Sequence, residues 1–323
     1  MSEVLGRGLV GLTEIESAAR RLAGVAIRTP LLPADAISEA VGATVRLKCE
    51  NLQRAGSFKI RGAYNFVSQL SEEQTKHGII TYSSGNHAQA VALAGKLRGL
   101  RAVVVMPTDA PEVKRKGAKR LGAELHFEGT TSVERQRRAE EIAEEEGLAM
   151  VPPFDHRHII AGQGTVGLEI AQDWEDVDLV VSCIGGGGLT SGVAAAVKRK
   201  LPGVRVIGVE PEGAASMRAA LDHSGPTMLT EIDTIADGLK PIISGEITYE
   251  HHRDLVDDVV TVTDDAIRRA TGMLVHRQKL VVEFSGAATT AALLSGKVDA
   301  AGGAVAVVVS GGNLDPSLLA ELD

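Results

Sequence analysis

Two cysteines, Cys49 and Cys183, are all that the 323 residues contain, so no disulfide framework is available. Both lie in apolar runs, and buried thiols of a reducing cytoplasm are the expected setting. Aromatic residues are scarce: five Phe, three Tyr and one Trp make nine, too few to build a base-stacking surface. Basic residues are outnumbered, 34 Lys+Arg against 42 Asp+Glu, and a net charge of −8 argues against a phosphate-backbone partner. Nucleic acid is excluded on both counts. No run reaches the roughly 18 apolar residues of a membrane helix. The opening MSEVLGRGLVGLTEIE has no apolar signal core followed by small residues. Neither a membrane nor export is expected. What is plentiful is glycine, 36 residues, and its placement marks the turns where strands give way to helices. The length suits two domains or one large one, with 44% hydrophobic residues to fill a core.

The chain repeats a short β-branched run, a glycine-marked turn and a helical pattern. Strands are predicted at Thr44–Cys49, Gly78–Tyr82, Arg101–Met106, Glu124–Phe127, Leu179–Ile184, Val204–Val209, Val259–Val262 and Ala304–Val309. Continuous runs such as VVVM and AVAVVV fit strands covered on both faces. Helical patterns lie between them, the first opening on Thr13 and Glu16 as a capping box. This alternation predicts an α/β protein of mostly parallel sheets. Residues 69–155 hold three short β-α units and read as a smaller α/β domain inserted into a larger one formed by 1–68 and 156–323. Ligand is expected in the cleft between them.

Four segments carry chemistry. Cys183-Ile184-Gly185-Gly186-Gly187-Gly188-Leu189 runs from a strand through four glycines into a helix, which suits a phosphate at free backbone N–H groups. It is not a Walker loop, and a merely flexible turn is the competing explanation. Gly56-Ser57-Phe58-Lys59-Ile60-Arg61 puts Ser57 in a capping position and Lys59 in a first helical turn, where a cation opposes the dipole. Such a lysine can act as a nucleophile; on spacing alone it can equally be solvated. Tyr82-Ser83-Ser84-Gly85-Asn86-His87 gathers hydroxyls, an amide and helix N–H groups as a carboxylate pocket would, or as a simple cap would. Val309-Ser310-Gly311-Gly312-Asn313 ends a buried strand, where Ser before Gly-Gly also serves plain turn geometry.

Taken in order, these (the Lys59 segment extended to ENLQRAGSFKIRGA) and three further stretches, IAGQGTVGLEI, TIADGL and LVDDVVTVTDDAI, resemble the fold-type II pyridoxal-phosphate enzymes, in the threonine/serine dehydratase and serine racemase group. The resemblance runs from Arg28-Thr29-Pro30-Leu31 almost to the C-terminus. It implies pyridoxal 5′-phosphate as cofactor, with Lys59 forming the Schiff base. Gly185, Gly186, Gly187, Gly188 and Leu189 would hold the phosphate, Asn86 the phenolic oxygen, Phe58 one ring face and Ser310 the pyridine nitrogen. Ser84 would face Lys59 across the cofactor plane, and Ser83, Ser84 and His87 would form the substrate-carboxylate pocket. Glu283, before Phe284-Ser285-Gly286, is a carboxylate expected close behind the cofactor. The implied reaction is β-elimination from a β-hydroxy L-amino acid to a 2-oxo acid and ammonia. Serine racemisation, thiol β-replacement and non-catalytic phosphate binding are the alternatives. A cytoplasmic homodimer acting on a small amino acid is the implied setting. No isoleucine-binding regulatory module is expected after Leu314–Leu322.

Arg135 sits among Arg137, Arg138, Glu140 and Glu141 and reads as part of a solvated helix face. Asp155-His156-Arg157-His158 and His251-His252 read as loop histidines, since neither has partners at zinc spacing. Val209-Glu210-Pro211-Glu212-Gly213-Ala214-Ala215-Ser216 resembles the stretch that binds Mg²⁺ or Mn²⁺ in metal-activated racemases. Here Ser216 stands where that pattern has an acid, and hard cations prefer anionic oxygens. The expectation is a metal-independent enzyme.

Overall fold

The long apolar runs lie at the centres of two sheets in the computed structural model, which describes residues 8–322 except 84 and 111. The strands are β1 (Leu31–Pro33), β2 (Thr44–Cys49), β3 (Ile79–Tyr82), β4 (Ala102–Met106), β5 (Glu124–Phe127), β6 (Ala149–Met150), β7 (Leu179–Cys183), β8 (Arg205–Pro211), β9 (Asp258–Val262) and β10 (Ala304–Val309). One sheet has the order β1-β2-β10-β7-β8-β9 and is parallel except for β1, which pairs antiparallel with β2. The other has the order β5-β4-β3-β6 and is parallel throughout. AVAVVV is β10, with five of six residues buried, and AVVVM is β4, buried throughout. Helices on both faces explain why these strands show no polar alternation. The expected α/β class with parallel sheets is the one found.

Thirteen helices cover the sheets among the described residues. They are α1 (Leu12–Leu22), α2 (Asp35–Val41), α3 (Lys59–Val67), α4 (Glu72–Thr75), α5 (Asn86–Arg98), α6 (Glu112–Arg120), α7 (Ser132–Glu146), α8 (Arg157–Asp173), α9 (Gly188–Lys200), α10 (Ser216–Asp222), α11 (Glu246–Leu255), α12 (Asp264–His276) and α13 (Phe284–Leu294). The first of them caps differently from its expected Thr13–Glu16 box. Its N-cap is Gly11, and Glu14 Oε2 accepts the Gly11 N–H at 2.8 Å. Strands β1 and β6, three and two residues long, are too short to show a period, so the sequence pattern does not reveal them.

His251 and His252 are not loop residues. They sit in α11, both buried. His251 Nε2 accepts from Val10 N at 2.8 Å and its Nδ1 faces Ile247 O at 2.7 Å, so the ring is neutral with the proton on Nδ1. Burial lowers both rings to about 4. The unfolded chain protonates these rings near pH 6.5, so between there and 4 the folded state binds fewer protons and loses stability as pH falls. The expected slope is up to about 1.4 kcal/mol per pH unit for each ring. Urea midpoints measured at several pH values test this; a midpoint constant across that window would contradict it.

Candidate active site

The carboxyl ends of β3, β7 and β10 converge on one cavity of about 180 Å³. A single water needs roughly 10–15 Å³ of such space, so this is room for a small organic molecule. Crevices at strand carboxyl ends are the expected place for a ligand in an open α/β sheet.

Lys59 enters the cavity from the first turn of α3. The approach is built by backbone. Ala55 and Gly56 are both left-handed (φ +59° and +71°), and a Cβ on Gly56 would collide with the Asn313 side-chain amide. Ser57 then forms an antiparallel bridge with Gly311, and Phe58 N donates to Ser310 O at 3.1 Å. The expected Ser57 cap is absent: its Oγ has no partner among the described residues, and Phe58 takes the N-cap position. The reason is geometric, since the bridge turns Ser57 away from the helix axis. Lys59 Nζ donates to Pro153 O at 2.9 Å, and burial lowers its basicity to about 8. A lysine so placed has a usable unprotonated fraction near neutral pH.

Opposite it, Gly185 to Gly188 link β7 to α9. Gly187 has φ +93°, and a Cβ on Gly186 would overlap the Phe154 ring. Here the glycines admit Phe154 behind the loop as well as a ligand in front. Among the described residues, the amides of Gly185, Gly186 and Gly187 donate to no protein acceptor. With the α9 N-terminus they form a cradle for an anion. Thr248 Oγ1 pins the loop from behind by donating to Gly186 O at 2.8 Å.

Asn86 and His87 open α5, with Gly85 as N-cap. Asn86 Nδ2 donates to Glu283 Oε1, while Asn86 Oδ1 accepts from Asn313 Nδ2 at 2.8 Å. Glu283 stands behind Asn86, 2% exposed, with burial raising its carboxyl to about 6. His87 is buried and lowered by desolvation to about 3; Nε2 faces Val151 O at 3.3 Å and Nδ1 has no partner among the described residues. Its side chain therefore offers an acceptor, which suits a carboxylate poorly. The donors at this spot are the Asn86 and His87 backbone amides. Ser83 lines the cavity, its Oγ accepting from Gly85 N at 3.2 Å. Ser310 lines it too, beside Cys183, whose thiol burial pushes up to about 11. Ser84 lies outside the described residues.

Phe58, Lys59, Ser83, Asn86, His87, Gly185–Gly188, Leu189 and Ser310 thus share one cavity. Arg135, expected on a solvated helix face, is instead 8% exposed and lines the cavity, with Nη1 donating to Thr130 O at 3.0 Å. Its charged neighbours Arg137 and Arg138 pair with Glu141 on the outer face of α7, which leaves Arg135 on the inner one. Two further clusters are invisible in the sequence: Lys114 with Asp237 beside Glu283, and a largely buried quartet of Lys48, Glu50, Arg61 and Glu169. Each is closed by a link across more than a hundred residues, Lys114 to Asp237 in one and Lys48 and Arg61 to Glu169 in the other.

Glu210 is fully buried and accepts from Met217 N and Arg218 N at 2.8 Å each. Both of its oxygens thus bind the start of α10, and Ser216 Oγ has no partner among the described residues. A carboxylate already spent on two amides, without a second acid, is a poor set for a hard divalent cation.

A family model described as "Pyridoxal-phosphate dependent enzyme" matches residues 22–311. The chain is 43% identical over 311 residues to an L-threonine ammonia-lyase of Thermotoga maritima, covering 96% of this chain and 77% of that one. It is 42% identical over 316 residues to the catabolic L-threonine dehydratase of Escherichia coli K12, covering 97% and 96%. Among solved structures, maize serine racemase superimposes with a TM-score of 0.93 at 38% identity, covering 97% of this chain and 96% of that one.

Proposed function

This chain belongs to the pyridoxal-phosphate-dependent enzyme family, and within it we propose a threonine/serine dehydratase, an ammonia-lyase that removes water from a β-hydroxy L-amino acid to give a 2-oxo acid and ammonia. The observation that carries the reading is a buried, weakened lysine facing a free amide cradle across one cavity, in a chain similar over 96% of its length to a threonine ammonia-lyase and over 97% to a threonine dehydratase. The residues suit the cofactor: Gly185–Leu189 would hold the phosphate, Asn86 the phenolic oxygen, Phe58 a ring face and Ser310 the pyridine nitrogen. When bound, pyridoxal phosphate supplies an aldehyde for an amine and a ring that accepts electrons from the substrate's Cα.

The chain's own groups have separable tasks. Lys59 Nζ would hold the cofactor's aldehyde and would serve as the base at the substrate's Cα; its lowered basicity keeps it available near neutral pH. Pro153 O orients that amine. The Asn86 and His87 amides, with Ser83, would receive the substrate carboxylate. Arg135 brings a buried positive charge to the same cavity. Ser84, which by the resemblance would face Lys59, is the residue on which racemisation would depend, and the likeness to maize serine racemase gives that second reading its weight. One assay separates them. Purified protein supplied with pyridoxal phosphate should convert L-threonine and L-serine to 2-oxo acid and ammonia; D-serine forming faster than 2-oxo acid would transfer the assignment to the racemase.

We further propose that the enzyme is metal-independent, with Glu210 serving α10. Exhaustive chelation should leave turnover unchanged; a large loss restored by micromolar Mg²⁺ or Mn²⁺ and abolished by Glu210→Gln would overturn this. The proposed division is residues 1–68 with 156–323 against 69–155. A cytoplasmic homodimer is part of the proposal; the exposed apolar side chains of Ile27, Leu52 and Val281 are what a second copy could cover, since Asn51 and Gln53 on either side of Leu52 bond the backbone of Val281 and Ile27. No helix of the described residues is long and apolar enough to cross a membrane.

A further inference from the structure

Lys114 is an ammonium kept out of water. It sits in α6, 4% exposed, and its stem runs under the turn that starts α5. A Cβ on Gly85 would lie 2.6 Å from Lys114 Cδ and 3.0 Å from Nζ. Nζ pairs with Asp237 and stands 3.8 Å from Glu283 Oε2, an oxygen that accepts no hydrogen bond within the protein among the described residues. The other Glu283 oxygen accepts Asn86 Nδ2. The residue after Asp237 is in turn held from α13, where Ser285 Oγ accepts the Gly238 N–H at 2.8 Å. The cation comes from the chain of the four-stranded sheet and both carboxylates from that of the six-stranded sheet.

A buried ammonium is costly unless paired, and two nearby carboxylates are costly unless a cation lies between them. Each member of this cluster therefore depends on the others. Without Lys114, Asp237 and Glu283 repel, and one of them must take a proton or turn away. Asn86 would then lose the fixed acceptor that sets its amide plane, since Asn313 alone leaves rotation about that bond less restricted.

We propose that Lys114 is a positioning residue: shared between Asp237 and Glu283, its ammonium holds the Glu283 carboxylate as the acceptor of Asn86 Nδ2 and so orients the amide presented to the cofactor. This rests on Asn86 facing the cofactor, as proposed above. Lys114 and Asp237 line the edge of the same cavity; in this role Lys114 acts through Glu283 and Asn86.

The experiment is a titration of the cofactor-free full chain with pyridoxal phosphate, followed by visible absorbance, with thermal melting of the unloaded protein as control. A parent protein that binds no pyridoxal phosphate overturns both this proposal and the functional reading. Given a parent that binds, Lys114→Met should weaken binding by at least about tenfold and move the absorbance maximum, while the unloaded protein melts near the parent temperature. Lys114→Arg should restore both. Combining Lys114→Met with Glu283→Gln should cost no more than either change alone, because both act through one link. Parent-like affinity and spectrum in Lys114→Met overturn the proposal alone, as do losses that multiply in the double variant. Should Lys114→Met fail to fold, Glu283→Gln decides: it keeps the cation and removes the charged acceptor, so weakened binding supports the proposal and parent-like binding overturns it.

Discussion

Lys59→Ala is expected to yield a folded protein whose visible spectrum with pyridoxal phosphate is that of the free cofactor, and whose turnover is lower by several decades. The size follows from the number of tasks lost together. On the proposed reading Nζ would be both the amine that engages the aldehyde and the base that takes the Cα proton, and removing a covalent catalyst and its proton acceptor at once leaves only binding. Folding should survive. Among the described residues the side chain makes one hydrogen bond, to Pro153 O, and its burial as an ammonium is unfavourable, as the lowered basicity records. Deamination of L-threonine by this variant at near the parent rate would remove Lys59 from the mechanism.

The largest loss of stability is expected two residues further on. Arg61 is 1% exposed and donates to Glu50 through Nε and Nη2, both at 2.8 Å, and to Glu169 through Nη1 at 2.7 Å and Nη2 at 2.9 Å. Lys48 Nζ adds a second cation, 2.6 Å from Glu169 Oε2, and Thr29 Oγ1 donates to Glu50 at 2.5 Å. Burial alone would raise the Glu50 carboxyl; Arg61 outweighs it and holds the group below its ordinary value. Arg61→Met strands that carboxylate, and breaking a buried pair from one side costs about 3–5 kcal/mol. Urea unfolding of Arg61→Met, at constant slope, should show a loss of this size; a loss under about 1 kcal/mol would mean that Glu50 finds water or a proton instead. The quartet anchors the first turn of α3 to β2 and α8, so Lys59 owes its aim to it.

How much of this was legible depended on whether the signal was contiguous. The strands around VVVM and AVAVVV could be read because burial on both faces leaves an unbroken apolar run. The glycine loop, Lys59, Asn86 and Ser310 could be brought together in advance because each lies in a short ordered motif, and the structure sets all of them round one cavity. Lys114 could not: its partner Asp237 is 123 residues away, and nothing in EVKRKGAKR distinguishes that lysine from its solvated neighbours. Arg135 was misjudged for a related reason. Alternating charges along α7 look the same whether a given one points out or in, and only the packing of α7 against β3 and β4 turns Arg135 inward. The histidines of α11 were misplaced because EITYEHHRDL mixes polar and apolar residues without a clean period. Ser57 was read as a cap from residue type alone, whereas the bridge to Gly311 commits its backbone elsewhere.

The position of β10 in the larger sheet has a consequence for synthesis. It lies between β2 and β7 and pairs in register with both, Val307 with Leu47 on one side and Val181 on the other. Until residue 309 has left the ribosome, β2 has only β1 beside it, and β7 has only the strands that come after it. At about 5–20 residues per second, the roughly 260 residues between Cys49 and Val309 take on the order of 10–50 s to emerge. Strands β3 to β6, by contrast, complete their pairing within residues 79–150. The nascent chain thus carries a finished smaller sheet beside apolar strand edges that wait, exposed, for a late central strand. That interval is when aggregation competes with folding and when a chaperone would have the most to hold.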